Sequence, residues 1–166
     1  MPTIRLKTTI NAPQERVFNL SRSLDLHIAS AAKTSEKVIS AKQTGLLGLN
    51  EEVTWRAKHL GVYQNLTSKI TQFNFPNSFT DEMQKGAFKS FSHQHLFEKI
   101  SEEKTQLIDV FEYKSPMGIL GKLADKLFLK SYMKRFLLER NQVIKTTAES
   151  DNYQRYFVYP ESAFYR

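Results

Sequence analysis

The feature that most constrains this chain is one change of hydrophobic period. From Lys37 to Tyr113 apolar residues recur mainly at every second position. After Ser115-Pro116-Met117-Gly118 they recur at helical spacing, at Ile119, Leu120, Leu123, Leu127, Tyr132, Phe136, Leu137 and Ile144. A period of two puts one face of a strand in a core, and a period of 3.6 does the same for a helix. The chain therefore spends its middle on strands and its end on one long helix over residues 119–146. A helix that comes last, with so long an apolar stripe, has to cover a sheet.

Ile4, Leu6, Thr8 and Ile10 alternate with polar residues and predict a first strand over residues 3–10, which Asn11-Ala12-Pro13 interrupts. Pro13 suits the first turn of a helix, for which Val17, Phe18 and Leu20 supply the buried stripe. A second short helix is expected over residues 24–32. Further strands are expected over residues 38–43, 51–60, 62–73, 79–84, 88–100 and 106–113, joined by short polar turns that favour antiparallel neighbours. The expected architecture is α+β: a strand, two short helices, six more strands and a helix, with the curved antiparallel sheet of about seven strands wrapped around the long helix.

With 166 residues, 40% of them hydrophobic and 25% charged, the chain has the makings of one ordinary globular domain. We expect that domain over residues 1–148, followed by an aromatic-rich tail over residues 149–166 that holds Tyr153, Tyr156, Phe157, Tyr159, Phe164 and Tyr165. There is no cysteine, which excludes disulfides, thiolate metal sites and cysteine nucleophiles. The N-terminal residues contain no apolar core of a signal peptide, and no apolar run is long enough to span a bilayer, so a cytoplasmic location is expected. The net charge of +7 is spread along the chain without a nucleic-acid-binding signature, so nucleic acid is not an expected partner. Lys122, Lys126, Lys130 and Lys134, with Arg135 beside the last, form a basic ridge on the final helix. A solvated helix face explains that ridge, and peripheral contact with anionic lipid is the rival reading. The aromatic tail could pack on its own domain or on a neighbour, which leaves room for a homodimer.

Several segments carry a family likeness: residues 55–62 (Trp-Arg-Ala-Lys-His-Leu-Gly-Val), 79–83 (Phe-Thr-Asp-Glu-Met), 86–88 (Gly-Ala-Phe), 91–97 (Phe-Ser-His-Gln-His-Leu-Phe), and Tyr113 through Pro116, Gly118, Leu120 and Gly121. Together with the order of elements they resemble a bacterial subgroup of the START-like (SRPBCC, helix-grip) superfamily described as ligand-binding or cell-division-associated. The likeness runs from about Ile4 to Thr147 and leaves out residues 151–166. It implies the helix-grip fold and a hydrophobic cavity, and it brings no catalytic residue with it. Phe91 stands where this pattern would have tryptophan, a change of pocket shape more than of chemistry.

Strand parity gathers the candidate site. His93 and His95 share a face with Phe91 and Phe97, Asp81 travels with Phe79 and Met83, and His59 travels with Trp55 and Ala57. An interior holding imidazoles and a carboxylate among aromatic rings could anchor a ligand's polar group or transfer protons. It could equally be a set of buried groups that satisfy one another. We expect Trp55, Phe79, Met83, Phe91 and Phe97 as walls of a ligand cavity and His59, Asp81, His93 and His95 as its polar anchors. Asp109 and Tyr113 share a parity on the last strand, but Ile108 and Val110 make the other face an equally good interior, so their direction stays open. The His93-x-His95 spacing also suits a metal. For want of a second carboxylate on that face the expectation is no metal, and no cofactor motif is present. Glu51-Glu52 and Glu102-Glu103 are expected to be solvated.

The leading expectation is thus binding or carriage of a small hydrophobic molecule: a lipid, isoprenoid or aromatic metabolite. The alternatives are a cyclase- or hydrolase-like enzyme that uses the His/Asp cluster, and an interaction module linked to cell division.

Overall fold

The computed structural model describes residues 1–30, 36–59, 61–115 and 125–157. Strand β1 (Thr3–Ile10) leads into α1 (Gln14–Ser21) and α2 (Leu24–Ser30). Then come β2 (Lys37–Val38), β3 (Glu52–His59), β4 (Val62–Asn74), β5 (Ser78–Lys85), β6 (Ser90–Ser101) and β7 (Lys104–Lys114). A π-helical turn (Asp125–Leu129) opens directly into α3 (Lys130–Ala148), and a 3₁₀ turn (Asp151–Tyr156) follows.

The seven strands form one antiparallel sheet in the order β1-β7-β6-β5-β4-β3-β2. Strands β3 to β7 are a meander, and β1 returns to pair with β7 from Thr3↔Glu112 to Ile10↔Thr105. The β3–β4 hairpin is tight, with His59 opposite Val62, and its turn uses Gly61 at a φ of 83°, where a side chain would be strained. Register shifts in β4 between Thr67 and Ser68 and between Ile70 and Gln72 add local twist, which bends a long strand over what lies beneath it.

Helix α3 packs against β1, α1 and α2. Its stripe Leu137, Asn141, Ile144 and Ala148 is buried at spacings of four, three and four. One expectation fails at its start. Leu127, expected on the buried side, is 70% exposed, because the backbone there is a π-helical turn and the α-helical register begins only at Lys130. The expected helical residues Ile119, Leu120 and Leu123 and the basic-ridge residue Lys122 lie outside the described residues, as does the side chain of Lys126, whereas Lys130, Lys134 and Arg135 are exposed.

Strand β2 is two residues long, where six were expected. Beyond it the chain leaves the sheet. Lys42 Nζ reaches Glu51 Oε1 and Oε2 at 2.6 and 2.7 Å and the Leu46 carbonyl at 2.7 Å, and Glu51 Oε2 accepts from the Gly48 amide at 2.5 Å. Glu51 is therefore a half-buried organiser of this loop and not the solvated charge expected of it. The described residues after α3 do pack on the domain. Tyr156 is buried, Tyr153 and Phe157 lie against the same cluster, and the Arg16 guanidinium sits 3.9 Å above the Tyr153 ring. Tyr159, Phe164 and Tyr165 of the expected tail lie outside the described residues.

Among the described residues, most buried apolar side chains fall into two clusters. One gathers α1, α2 and the far end of α3 around Phe18, Leu24, Trp55, Phe79, Phe97 and Ile144. The other joins Ile4, Leu6, Phe91, Phe111, Tyr113 and Leu137. Residues of both clusters wall a hollow, and Leu66 packs against both.

Candidate functional site

A cavity of about 400 Å³ lies between the sheet and α3. That is the size of a small-molecule site and far larger than the voids of an ordinary close-packed interior. Its sheet side carries Val53, Trp55 and Ala57 from β3, Leu66, Ser68 and Ile70 from β4, Phe79 and Asp81 from β5, Phe91 and His93 from β6 and Phe111 from β7. Its helical side carries Ser21, Ser23, Leu24 and His27 from α1, α2 and the turn between them, and Phe128, Leu129, Tyr132, Met133, Phe136, Leu137 and Arg140 from the π-helical turn and α3. Phe128 lines this cavity and is also 46% exposed.

The polar core of the site is built by register. Asp81 is opposite His93, Phe79 is opposite His95, and His95 is opposite Asp109, so three adjacent strands bring four ionisable groups to one spot. Asp109 Oδ1 accepts from His93 Nε2 at 2.9 Å and from His95 Nδ1 at 3.0 Å. Its other oxygen, Oδ2, accepts from the Asn141 amide at 2.5 Å. His95 Nε2 lies 3.1 Å from Asp81 Oδ1, and His93 Nδ1 lies 3.9 Å from the same oxygen. The two imidazoles lean together with centroids 3.9 Å apart, and Phe79 stacks on His95 at 4.3 Å.

This arrangement separates the two histidines electrically. Burial and the neighbouring His95 push His93 down to about 4, which the Asp109 and Asp81 carboxylates do not offset, so His93 is neutral. Burial opposes charge on His95 too, but hydrogen bonds to Asp109 and Asp81 overcome it and raise its pKa. Burial would raise both carboxyls, yet the histidine hydrogen bonds hold Asp81 below its usual value and Asp109 well below. Of the two histidines, His95 is therefore the one whose surroundings favour the charged form.

Of the residues expected to form the site, Trp55, Phe79, Asp81, Phe91 and His93 line the cavity. His95 is buried one layer behind, touching Asp81 and Asp109 but not the hollow. Phe97 sits in the first apolar cluster, 5.1 Å from the Phe18 ring, and fills instead of lining. Met83 is half-buried against the second cluster and away from the cavity wall. The side chain of His59 lies outside the described residues. Asp109 and Tyr113, whose direction was open, point inward and are 1% and 0% exposed.

Sequence reasoning missed Arg140 and Asn141. Arg140 lines the cavity, donates to the Ser21 carbonyl at 2.8 Å and lies close enough to lower Asp81 electrostatically. Asn141 had a legible signal, because an amide at the centre of an otherwise apolar helical stripe has to meet a polar group in the sheet.

This fold is shared with known structures. The chain superposes on a Thermus thermophilus protein with a TM-score of 0.68 at 20% identity, covering 89% of this chain and 99% of that one. A START superfamily protein from Mycobacterium smegmatis matches with a TM-score of 0.67 at 8% identity over 89% and 97% of the two chains. The Zhui aromatase/cyclase from Streptomyces sp. R1128 matches with a TM-score of 0.69 at 14% identity over 89% and 93%. The chain therefore has the START-like helix-grip fold, and at these identities the likeness establishes the fold alone. No protein-family model matches the chain, and neither does any curated protein, so the cell-division association implied by the sequence resemblance finds no support.

Proposed function

We propose that the chain binds and carries a small, largely apolar molecule in the hollow between its sheet and α3, with Trp55, Phe79 and Phe91 as walls and Asp81 and His93 as polar anchors. The observation that carries this reading is the cavity itself. About 400 Å³ of space walled mainly by aromatic and aliphatic side chains would cost stability if it served no ligand, since unfilled apolar volume forfeits packing. Asp81 and His93 meet at one place on its wall, where the polar group of an amphipathic guest would be held. A lipid, an isoprenoid and an aromatic metabolite all fit this description. Native mass spectrometry of gently purified protein tests it. The expected result is a co-purified small molecule, or one taken up from a panel of lipids and apolar metabolites. A protein that stays empty throughout would sink the carrier reading.

One observation favours a second reading: Asp81 and His93 reach the cavity while His95 and Asp109 support them from behind. A carboxylate and a neutral imidazole aimed into an apolar pocket could move a proton to or from a bound substrate, as in a cyclase- or hydrolase-like enzyme. His93→Ala separates the two, because a carrier would lose affinity and an enzyme would lose turnover.

A further inference from the structure

The Asp109 hydrogen bonds decide more than electrostatics. His93 Nε2 donates to Asp109 Oδ1 at 2.9 Å, which leaves its Nδ1 facing Asp81. The same Asp109 oxygen holds the Nδ1 proton of His95 at 3.0 Å, which directs His95 Nε2 at Asp81 from the other side. Three electron-pair donors thus converge on one point: Asp81 Oδ1, His93 Nδ1 and His95 Nε2, all within 4.8 Å of one another. Three donors turned toward one another repel unless something positive sits among them. In the metal-free protein the His95 Nε2 hydrogen bond to Asp81 Oδ1 fills that role.

We infer that this convergence is a divalent transition-metal site of the zinc type, with Asp81 Oδ1, His93 Nδ1 and His95 Nε2 as ligands and an open position toward the cavity. Two neutral imidazoles and one carboxylate are the donor set such ions take, and ligands around a tetrahedral zinc stand about 3.3 Å apart, given bonds of about 2.0–2.1 Å. The Asp81 oxygen lies 3.1 and 3.9 Å from the two nitrogens, so small side-chain movements close the set.

The surroundings of a metal are also in place. Ligating histidines characteristically donate their second N–H to a carboxylate, which fixes the ring and strengthens the ligand. Here Asp109 serves both rings at once and is itself held by Asn141. The sequence set a metal aside for want of a second carboxylate, and Asp109 is that carboxylate, acting behind the ligands. Charge balances as well. Asp81 and Asp109 neutralise a divalent ion, and the nearby Arg140 leaves the site receptive to an anionic or carbonyl oxygen at the open position. Asp81 and His93 line the cavity, so that position is reachable from it.

Tag-free protein, stripped with a chelator and titrated with zinc alone, tests the site apart from any apolar guest. The expected result is saturable 1:1 binding by calorimetry, with cobalt in place of zinc giving the visible absorption of a four- or five-coordinate nitrogen and oxygen site. Asp81→Asn should weaken zinc binding at least ~100-fold, and Asp109→Asn should weaken it about 10- to 100-fold by loosening both rings. Circular dichroism and denaturant midpoints confirm that each variant is folded. Should either fail to fold, His93→Gln, at the cavity wall, carries the same expectation as Asp81→Asn. Absence of saturable binding, or zinc affinity unchanged in a folded Asp81→Asn protein, overturns the inference. Neither result touches the carrier reading, which native mass spectrometry decides on its own.

Discussion

Asn141 donates its side-chain amide to Asp109 Oδ2 at 2.5 Å, and so pins the middle of α3 to the middle of β7. Both residues are essentially inaccessible, at 2% and 1% exposure, and the same amide also reaches Thr8 Oγ1 at 3.2 Å on β1. A charged acceptor buried so deeply depends on each of its donors. Asn141→Ala is expected to lower stability by about 2–3 kcal/mol, the range for a lost hydrogen bond to a buried charge. Asn141→Asp should cost more, about 3–5 kcal/mol, because it sets a second carboxylate against Asp109. Urea unfolding followed by circular dichroism reads both. Equal stability of Asn141→Ala and the parent protein would mean that solvent already serves Asp109.

What the sequence revealed and what it withheld follow the same physics. Strands β3 to β7 were legible because each runs for at least eight residues between turn signals, and the inward facing of His93 follows from Phe91 two residues before it. Parity failed where both faces of a strand are buried. On β7, Ile108 and Asp109 are each 1% exposed, so alternation carried no information about which of them faces the cavity. It failed again at Phe97 and Met83, because facing inward is not the same as facing the hollow. Leu127 misled because helical spacing was extended across a π-helical turn, where the residues per turn differ. Asp109 became a member of the site only through the β6–β7 register, which no local pattern encodes.

The Lys42 and Glu51 pair gives a pH test. Burial would raise the Glu51 carboxyl, but the Lys42 hydrogen bond and the Gly48 amide outweigh it and hold the pKa below its ordinary 4.5. A depressed pKa in the folded state adds stability above the unfolded value, and that stability is lost as pH falls through the lower folded value. Both side chains are more than a third exposed, at 37% and 39%, so solvent screening limits the effect to at most about 1 kcal/mol. Lys42→Met should therefore be less stable than the parent at pH 7, with the gap closing between about pH 5 and pH 3. A gap that stays constant down to about pH 3 would show that Lys42 acts through the Leu46 carbonyl alone.

Tyr156 ties the described residues after α3, up to Phe157, to the folded unit. Its ring is 9% exposed against the cluster that holds Phe18 and Ile144, and its hydroxyl accepts from Arg155 at 2.6 Å. Tyr156→Ala is expected to lower stability by about 2–4 kcal/mol, the cost of truncating a largely buried aromatic ring. Tyr156→Phe, which keeps the ring, should cost less than about 1 kcal/mol. Thermal melts of the two variants distinguish a packed ring from one resting on the surface, for which both changes would be silent.

Ala57 offers the cleanest way to separate the cavity from the fold around it. It lies on β3, is 3% exposed and faces the hollow, so a larger side chain there grows into empty space and not into packed neighbours. Ala57→Phe should take up a substantial part of the 400 Å³ and exclude an apolar guest. Overpacking a filled core usually costs about 1–3 kcal/mol, so a stability change within about 1 kcal/mol would itself show that the volume was free. An environment-sensitive apolar dye, titrated into both proteins, should bind the variant at least tenfold more weakly at nearly equal melting temperature. A variant that melts much earlier would show that this part of the interior is already full. One that melts like the parent and binds the dye equally well would place the guest elsewhere.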